Sequence, residues 1–172
     1  LDEEARNAKA AEEGLFFIPH FSGRSFPLDN GIKGGFVGIT GKTTRGAMYR
    51  AVMEALAFEY KIFANILVSS GAINKIDAVY GVGGGAKSKI FSKIKADVLN
   101  TEYRAAKVTD SASRAVALMA AKGTGYISKP IEEALSVKDE EAQIFTPDAN
   151  KYSELVKEYK KAVECSYRQP RF

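Results

Sequence analysis

An α/β fold is expected from two patterns in the 172-residue chain. Short runs rich in β-branched and aromatic residues alternate with longer runs whose apolar positions recur at helical spacing. The stretch Asp77-Ala-Val-Tyr-Gly-Val-Gly-Gly-Gly-Ala-Lys-Ser88, running into Lys89-Ile-Phe-Ser-Lys-Ile-Lys-Ala-Asp97, reads as a strand, a four-glycine turn and a helix start. Composition agrees: 45% hydrophobic and 27% charged residues is ordinary for a globular domain with one sizeable core.

The elements follow in order. Leu1 to Glu13 reads as a charged helix. Leu15 to His20 and Phe36 to Thr40 read as strands, Pro19 confining the first to an edge or irregular position. Thr43 to Val68 reads as one long helix with Met48, Val52, Ala55, Leu56, Ile62, Phe63, Ile66 and Leu67 as its core stripe, stopped by Ser69-Ser70-Gly71. Ala78 to Val82 is a buried strand, Lys87 to Leu99 a helix with Ile90, Ile94 and Leu99 inward, Thr101 to Ala106 a strand, and Ser111 to Ala121 a small-residue helix closed by Gly123 and Gly125. Pro130 to Leu135 suits a short helix and Phe145-Thr-Pro147 an extended elbow. Asn150 to Tyr167 is a terminal amphipathic helix carrying Tyr152, Leu155, Val156, Tyr159 and Val163.

Bulk properties exclude several functions. Net charge is +4, with 25 basic and 21 acidic residues interspersed, which gives no stripe for nucleic acid. The one cysteine, Cys165, cannot form a disulfide framework, so a free thiol in a reducing cytoplasm is expected. No apolar run approaches the roughly 20 residues that cross a bilayer, so no membrane association is expected. His20, the single histidine, has no neighbouring ligand constellation for a metal and is read as a packing residue.

The glycine turn admits three owners. Gly81-Val-Gly83-Gly-Gly-Ala86 fits the loose dinucleotide fingerprint, although a long helix and a strand precede it. Gly81 to Ser88 would be a phosphate-binding loop if Ala86 were glycine. The third reading is architectural: glycines that only let a helix pack closely on a sheet. In all but the last, absence of Cβ allows close ligand approach, and unpaired N–H groups at a helix start favour an anion.

The surrounding segments favour one owner. Gly14-Leu-Phe-Phe-Ile-Pro-His-Phe-Ser-Gly23, Pro27, Gly34-Gly-Phe-Val-Gly-Ile-Thr40, Thr43-Thr-Arg-Gly-Ala-Met-Tyr-Arg-Ala-Val-Met-Glu-Ala-Leu-Ala-Phe58 and the glycine turn occur in that order. This succession, over about residues 14 to 125, resembles the C-terminal half of the FGGY family of carbohydrate kinases, whose members carry G-L-x-F-x-P-Y-x-x-G, R-G-x-F-x-G-L-T, x-R-A-V-x-E-x-x-A-F and G-G-G-A-x-S segments in the same order. Xylulokinase-like members look nearest, with glycerol kinase as rival. A non-catalytic actin-like nucleotide-binding domain is the alternative from another class.

The resemblance carries expectations of its own. It implies a ribonuclease H-like (actin-like ATPase) domain, with residues 1–172 as the C-terminal nucleotide-binding half and the domain's first strands and a sugar-binding N-terminal domain ahead of Leu1. The intact enzyme would transfer the γ-phosphate of ATP, with Mg²⁺, to a sugar hydroxyl in the cytoplasm. The catalytic base would be an aspartate of the missing half, so no Asp here inherits that role and this chain alone would be inactive. Gly83, Gly84, Gly85, Ala86 and Ser88 would hold ATP or ADP, with Lys87 or Lys89 adding charge. Ser111, Ala112 and Ala115 would form a thin second wall for the purine.

Departures from the family pattern bear on the sugar. Gly23-Arg24-Ser25-Phe26-Pro27 stands where many members read G-E-R-x-P, which alters the sugar-side chemistry, and Arg24 tilts the reading away from glycerol. Ala47 replaces a usual polar residue, whereas Asp29, Lys33, Arg45, Arg50 and Glu54 match pattern positions or conservative variants of them; Arg50 and Glu54 form an i,i+4 pair. Absence of the first strands would leave Gly35 to Thr40 as an open sheet edge, inviting a homodimer.

Overall fold

A computed structural model of the protein describes residues 1–25, 27–107, 110–131, 133, 142–149 and 151–166. Mixed α/β architecture is present as expected. Strand β1 (Phe16–Ile18) pairs antiparallel with β4 (Gly35–Val37), and β2 (Arg24–Ser25) with β3 (Leu28–Asp29). A second layer holds the sheet β5-β6-β7: β5 (Ala78–Gly81) runs parallel to β6 (Glu102–Ala105), and β7 (Gln143–Phe145) pairs antiparallel with β6.

Helix α1 spans Asp2–Asn7, α2 Arg45–Ser69, α3 Lys89–Leu99, α4 Ser111–Gly123 and α5 Ser153–Ser166. The α2 start is set by Thr44, whose Oγ1 accepts from the Ala47 N–H at 3.1 Å. Its end comes where Gly71 takes φ +74°, a left-handed conformation that glycine adopts without Cβ strain. The parallel pair β5 and β6 is joined through α3, the crossover that parallel strands require.

Long α2 packs on α1, α3, β1 and α5. Around it lie Leu15, Phe16, Ile18, Phe58, Ile62, Ile90, Ile94, Val98, Tyr152, Val156, Tyr159 and Val163, all buried. The aromatic members touch at oblique angles, with ring centroids 5.0 Å apart for Phe58 and Tyr159 and 6.0 Å for Phe58 and Tyr152. Burial pushes both tyrosine hydroxyls well up, reinforced by the charge of Glu54 at Tyr152 and of Glu59 at Tyr159.

A charged network sits inside this core. The Arg50 Nε donates to Glu54 Oε1 at 2.7 Å; its other nitrogens reach the carbonyls of Ala5 and Ala8 and the Tyr152 hydroxyl. Tyr152 in turn donates to Glu54 Oε1 at 2.8 Å, and the Ala11 N–H donates to Glu54 Oε2 at 3.0 Å. Glu54 is only 2% exposed. The i,i+4 pair read from sequence is therefore a buried junction of α1, α2 and α5.

This junction explains two corrections. Leu1 to Glu13 is not one helix: α1 ends at Asn7, and a 3-10 turn at Glu12–Gly14 follows, with Ala11 and Glu13 at φ 41° and 53°. The carbonyls of Ala5 and Ala8 and the amide of Ala11 turn toward Arg50 and Glu54 instead of extending the helix. Likewise, the buried residues of α2 include Ala47, Arg50, Ala51, Met53, Glu54, Ala55, Ala57, Phe58 and Ile62; of the expected stripe, Ala55 and Ile62 are buried and Met48, Val52 and Ile66 pack against the core, while Leu56 and Phe63 are 37% and 46% exposed. Hydrophobic periodicity errs at those two positions because it takes no account of the buried ion pair.

Other boundaries shift slightly. Phe145 ends a strand rather than an elbow, since β7 has a ladder partner in β6. The expected helix Pro130 to Leu135 lies partly outside the described residues, as do Asn150 and Tyr167 at the ends of the terminal helix. Gly35–Val37 pairs on one edge with β1, and among the described residues no strand covers its other edge. Cys165 is an exposed free thiol.

Arg50→Met tests the junction. Removing one partner leaves the Glu54 carboxylate buried without its cation, so unfolding in urea should show a loss of about 3 to 5 kcal/mol. A loss under about 1 kcal/mol would show that the network is not a structural tie.

Candidate functional site

The glycine turn lies where β5 leaves the sheet. Gly81 ends the strand, and a Cβ built there would fall 1.9 Å from the Tyr103 hydroxyl oxygen, so glycine is required by the packing of β6 beneath it. Gly83 takes φ 79° and ψ −173°, a region essentially reserved for glycine. Gly84 to Lys87 then form a 3-10 turn, and α3 begins only after Ser88. The expected helix start at Lys87 is thus displaced by this turn, whose tighter curvature redirects the chain before α3.

Each expected binding residue can be placed. A Cβ at Gly83 or Gly84 would meet nothing within 4 Å, so both glycines border open space. A Cβ at Gly85 would lie 3.6 Å from Phe91 Cε1 and 3.8 Å from Lys95 Nζ. Ala86 is buried in a small core with Ala96, Tyr103 and Ala105, so it anchors the turn. Ser88 caps α3 by accepting from the Phe91 N–H at 3.3 Å while donating to Asp2 Oδ2 at 2.6 Å. Lys87 and Lys89 are exposed.

The residues expected for the second wall lie on α4, where Ala112 is exposed, Ala115 half-buried, and Val116 and Met119 are 67% and 56% exposed. Among the described residues, none of α4 is buried. The side chain of Ser111 lies outside the described residues.

Sequence reasoning missed the charge behind the turn. Lys95 is 7% exposed, with its Nζ 3.1 Å from the Tyr103 hydroxyl, 3.8 Å from the centre of the Phe91 ring and 5.9 Å from that of Tyr60. Burial pushes its ammonium down to about 8. The same burial, with help from Tyr60, raises the Tyr103 hydroxyl. Lys95 also lines a cavity of about 380 Å³ between α2, α3 and β5, walled by Tyr60, Phe63, Leu67, Val79 and Tyr103. Its spacing from Phe91, one helical turn earlier, was the available signal.

Arg24 and His20 belong to a separate cluster around Glu59. Glu59 Oε1 accepts from Tyr159 at 2.7 Å and from Arg24 at 3.1 Å, and lies 3.0 Å from His20 Nε2. His20 is therefore part of a polar cluster, in addition to packing. Asp29 accepts from the Gly31 N–H, and Arg45 pairs with Glu4 at 2.6 Å. Among the described residues no group of three or more His, Cys, Asp or Glu comes together as a metal site, and no helix is long and apolar enough to cross a membrane.

A glycine turn between a parallel strand and its crossover helix is an arrangement that recurs among nucleotide-binding α/β folds. Known proteins narrow it: residues 1–124 match the C-terminal domain of the FGGY family of carbohydrate kinases, and the chain belongs to that family. Xylulose kinase of Staphylococcus epidermidis is 30% identical over 166 residues, covering 96% of this chain and 33% of the relative. Glycerol kinase 2 of Sulfolobus acidocaldarius is 31% identical over 135 residues, 78% of this chain and 27% of the relative. The crystal structure of Plasmodium falciparum glycerol kinase with ADP superposes with a TM-score of 0.79 at 23% identity, covering 98% of this chain and 34% of that one. Xylulose kinase of Rhodospirillum rubrum superposes at 0.72 with 23% identity, over 98% and 34% of the two chains. These likenesses establish the actin-like ATPase fold. The chain spans about a third of the length of the relatives it matches.

Gly81→Ala tests the turn's construction. The added methyl must displace the Tyr103 ring, so chemical denaturation should show a loss of about 1 to 3 kcal/mol, relieved in the Gly81→Ala, Tyr103→Ala pair relative to the sum of the single changes. Strict additivity would contradict the contact.

Proposed function

We propose that residues 1–172 form the nucleotide-binding half of a carbohydrate kinase that transfers the γ-phosphate of ATP to a sugar hydroxyl, of the xylulose kinase type. The observation that carries this reading is the β5 turn itself, in a member of a kinase family. Gly83 and Gly84 face open space, so backbone can approach a nucleotide without steric hindrance. Identity with a xylulose kinase along 96% of the chain supports the sugar class, while the glycerol kinase match covers 78%.

The donor set fits a nucleotide better than a resident metal. Backbone of Gly83 to Gly85 supplies the close approach, Ala86 seats the turn in the small core, and Ser88 holds α3 in register with it. Ser88 Oγ is already engaged by Asp2 and Phe91, so its contribution is to hold the turn, with one remaining acceptor position for a ribose hydroxyl. When bound, ATP supplies the phosphoryl group and Mg²⁺ screens its charge. This chain's share is placement and electrostatic support; the base that takes the sugar proton belongs to the part of the kinase that the chain does not span. The partners of this domain are accordingly ATP or ADP, the sugar, and an N-terminal domain of the same kinase. Pairing of the open β4 edge with a second copy is the route to a homodimer.

Isothermal titration with ADP and ATP tests the reading. Binding is expected for the wild-type chain, and Gly84→Val, whose side chain projects into open space, should weaken it at least about tenfold while leaving the thermal midpoint within a degree or two. Unaltered binding by a folded Gly84→Val chain would move the nucleotide elsewhere. Xylulose phosphorylation assayed on the purified chain should stay at background; robust turnover would show that the catalytic base had been misplaced.

A further inference from the structure

We infer that Lys95 is a buried positioning charge for the nucleotide at the glycine turn, lying behind the backbone of Gly85 and supporting the ligand's phosphates through the protein. This inference rests on the nucleotide reading above and names a residue within that site. Its basis is an arrangement around one ammonium group. Lys95 Nζ would lie 3.8 Å from a Cβ at Gly85, so it sits directly against the inner side of the turn.

The ammonium has neutral company. Its polar partner is the Tyr103 hydroxyl of β6 at 3.1 Å, and its other neighbours are ring faces: Phe91 of α3 at 3.8 Å, Tyr103 at 5.1 Å and Tyr60 of α2 at 5.9 Å. The titratable groups that share its cavity are the phenols of Tyr60 from α2, Tyr103 from β6 and Tyr80 from β5, and the Tyr80 hydroxyl accepts from Arg104 of β6 at 2.8 Å. Elsewhere in α3, Lys93 pairs with Asp97. Among the described residues no carboxylate pairs with Lys95.

A buried cation without a counter-ion is unfavourable in the free protein. Aromatic faces recover part of that loss, and the Tyr103 hydroxyl another part. An anion arriving on the outer side of the turn would recover more, because the intervening medium is protein and not water. Lys87 and Lys89, the cations adjacent to the turn in sequence, are exposed and act through solvent. Lys95 is consequently the cation whose field reaches the turn with least screening.

Such coupling has a thermodynamic signature. With its ammonium held down to about 8 in the free protein, Lys95 is partly neutral in mildly alkaline solution. A bound anion favours the charged form and so raises that value, which requires uptake of a proton from buffer on binding. Affinity is then fully supported at pH 7 and falls as pH rises through 8 to 9.

Titration calorimetry of the wild-type chain with ADP, in buffers of different ionisation enthalpy at pH 7, 8 and 9, reads this directly. Expected are net proton uptake near pH 8 to 9 and a decline in affinity of about five- to tenfold between pH 7 and pH 9. Lys95→Met should fold, bind ADP about tenfold more weakly at pH 7 and lack both the additional proton uptake and the alkaline decline. Tyr103→Phe keeps the charge but removes the bond to Nζ, and should shift the midpoint of the decline to lower pH. A Lys95→Met chain that matches the wild type in affinity and proton uptake overturns the inference while leaving the nucleotide reading intact. Absence of ADP binding to the wild-type chain overturns the nucleotide reading and this inference with it.

Discussion

The buried pair of Arg50 and Glu54 is the constraint on which the rest of the molecule depends. Two charges four residues apart on α2 are withdrawn from water, which is tolerable only when both are well hydrogen-bonded. Backbone carbonyls of Ala5 and Ala8, the amide of Ala11 and the hydroxyl of Tyr152 supply those bonds. The need to present those groups breaks the first helix, sets which face of α2 is inward, and fixes the start of α5 against α2. Apolar packing of Phe16, Phe58 and Tyr159 then closes around a geometry that hydrogen bonds have specified.

From that frame the glycine turn inherits its position. α2 supports α3 through Ile90, Ile94 and Val98, and α3 carries the turn at its leading end. The Ser88 hydroxyl joins this end of α3 to Asp2 on α1, so the junction around Arg50 and the turn share an element. On the other side, Tyr103 and Ala105 of β6 hold Ala86 and crowd Gly81. The turn is thereby held from two directions, while Gly83 and Gly84 remain open.

Much of this was legible in the residues. The long helix and β1 follow from periodicity because their apolar positions face the main core, and the family-like order of segments located the turn. What escaped periodicity was polar. Arg50 and Glu54 do not count as core on a hydrophobic pattern, so the expected stripe from Met48 to Leu67 omits them and takes in the exposed Leu56 and Phe63. Lys95 looked like one surface lysine among several in α3, and only the proximity of Tyr60 and Tyr103, 35 residues before and 8 after it in sequence, reveals its burial. The break after Asn7 was equally hidden, because Ala8 to Ala11 has good helix propensity and is overruled by distant hydrogen-bonding groups. β7 was missed since three residues carry too little pattern to distinguish a strand from an extended loop.

Binding of a nucleotide at the β5 turn is the central claim, and amide chemical-shift mapping of the isotopically labelled chain during ADP addition addresses it most directly. The account predicts saturable shifts concentrated at Gly83, Gly84, Gly85 and Lys87, with smaller ones along the first turns of α3 and little change around Glu59 and His20. Shifts confined to the cluster around Glu59, or none at saturating ADP, would contradict it.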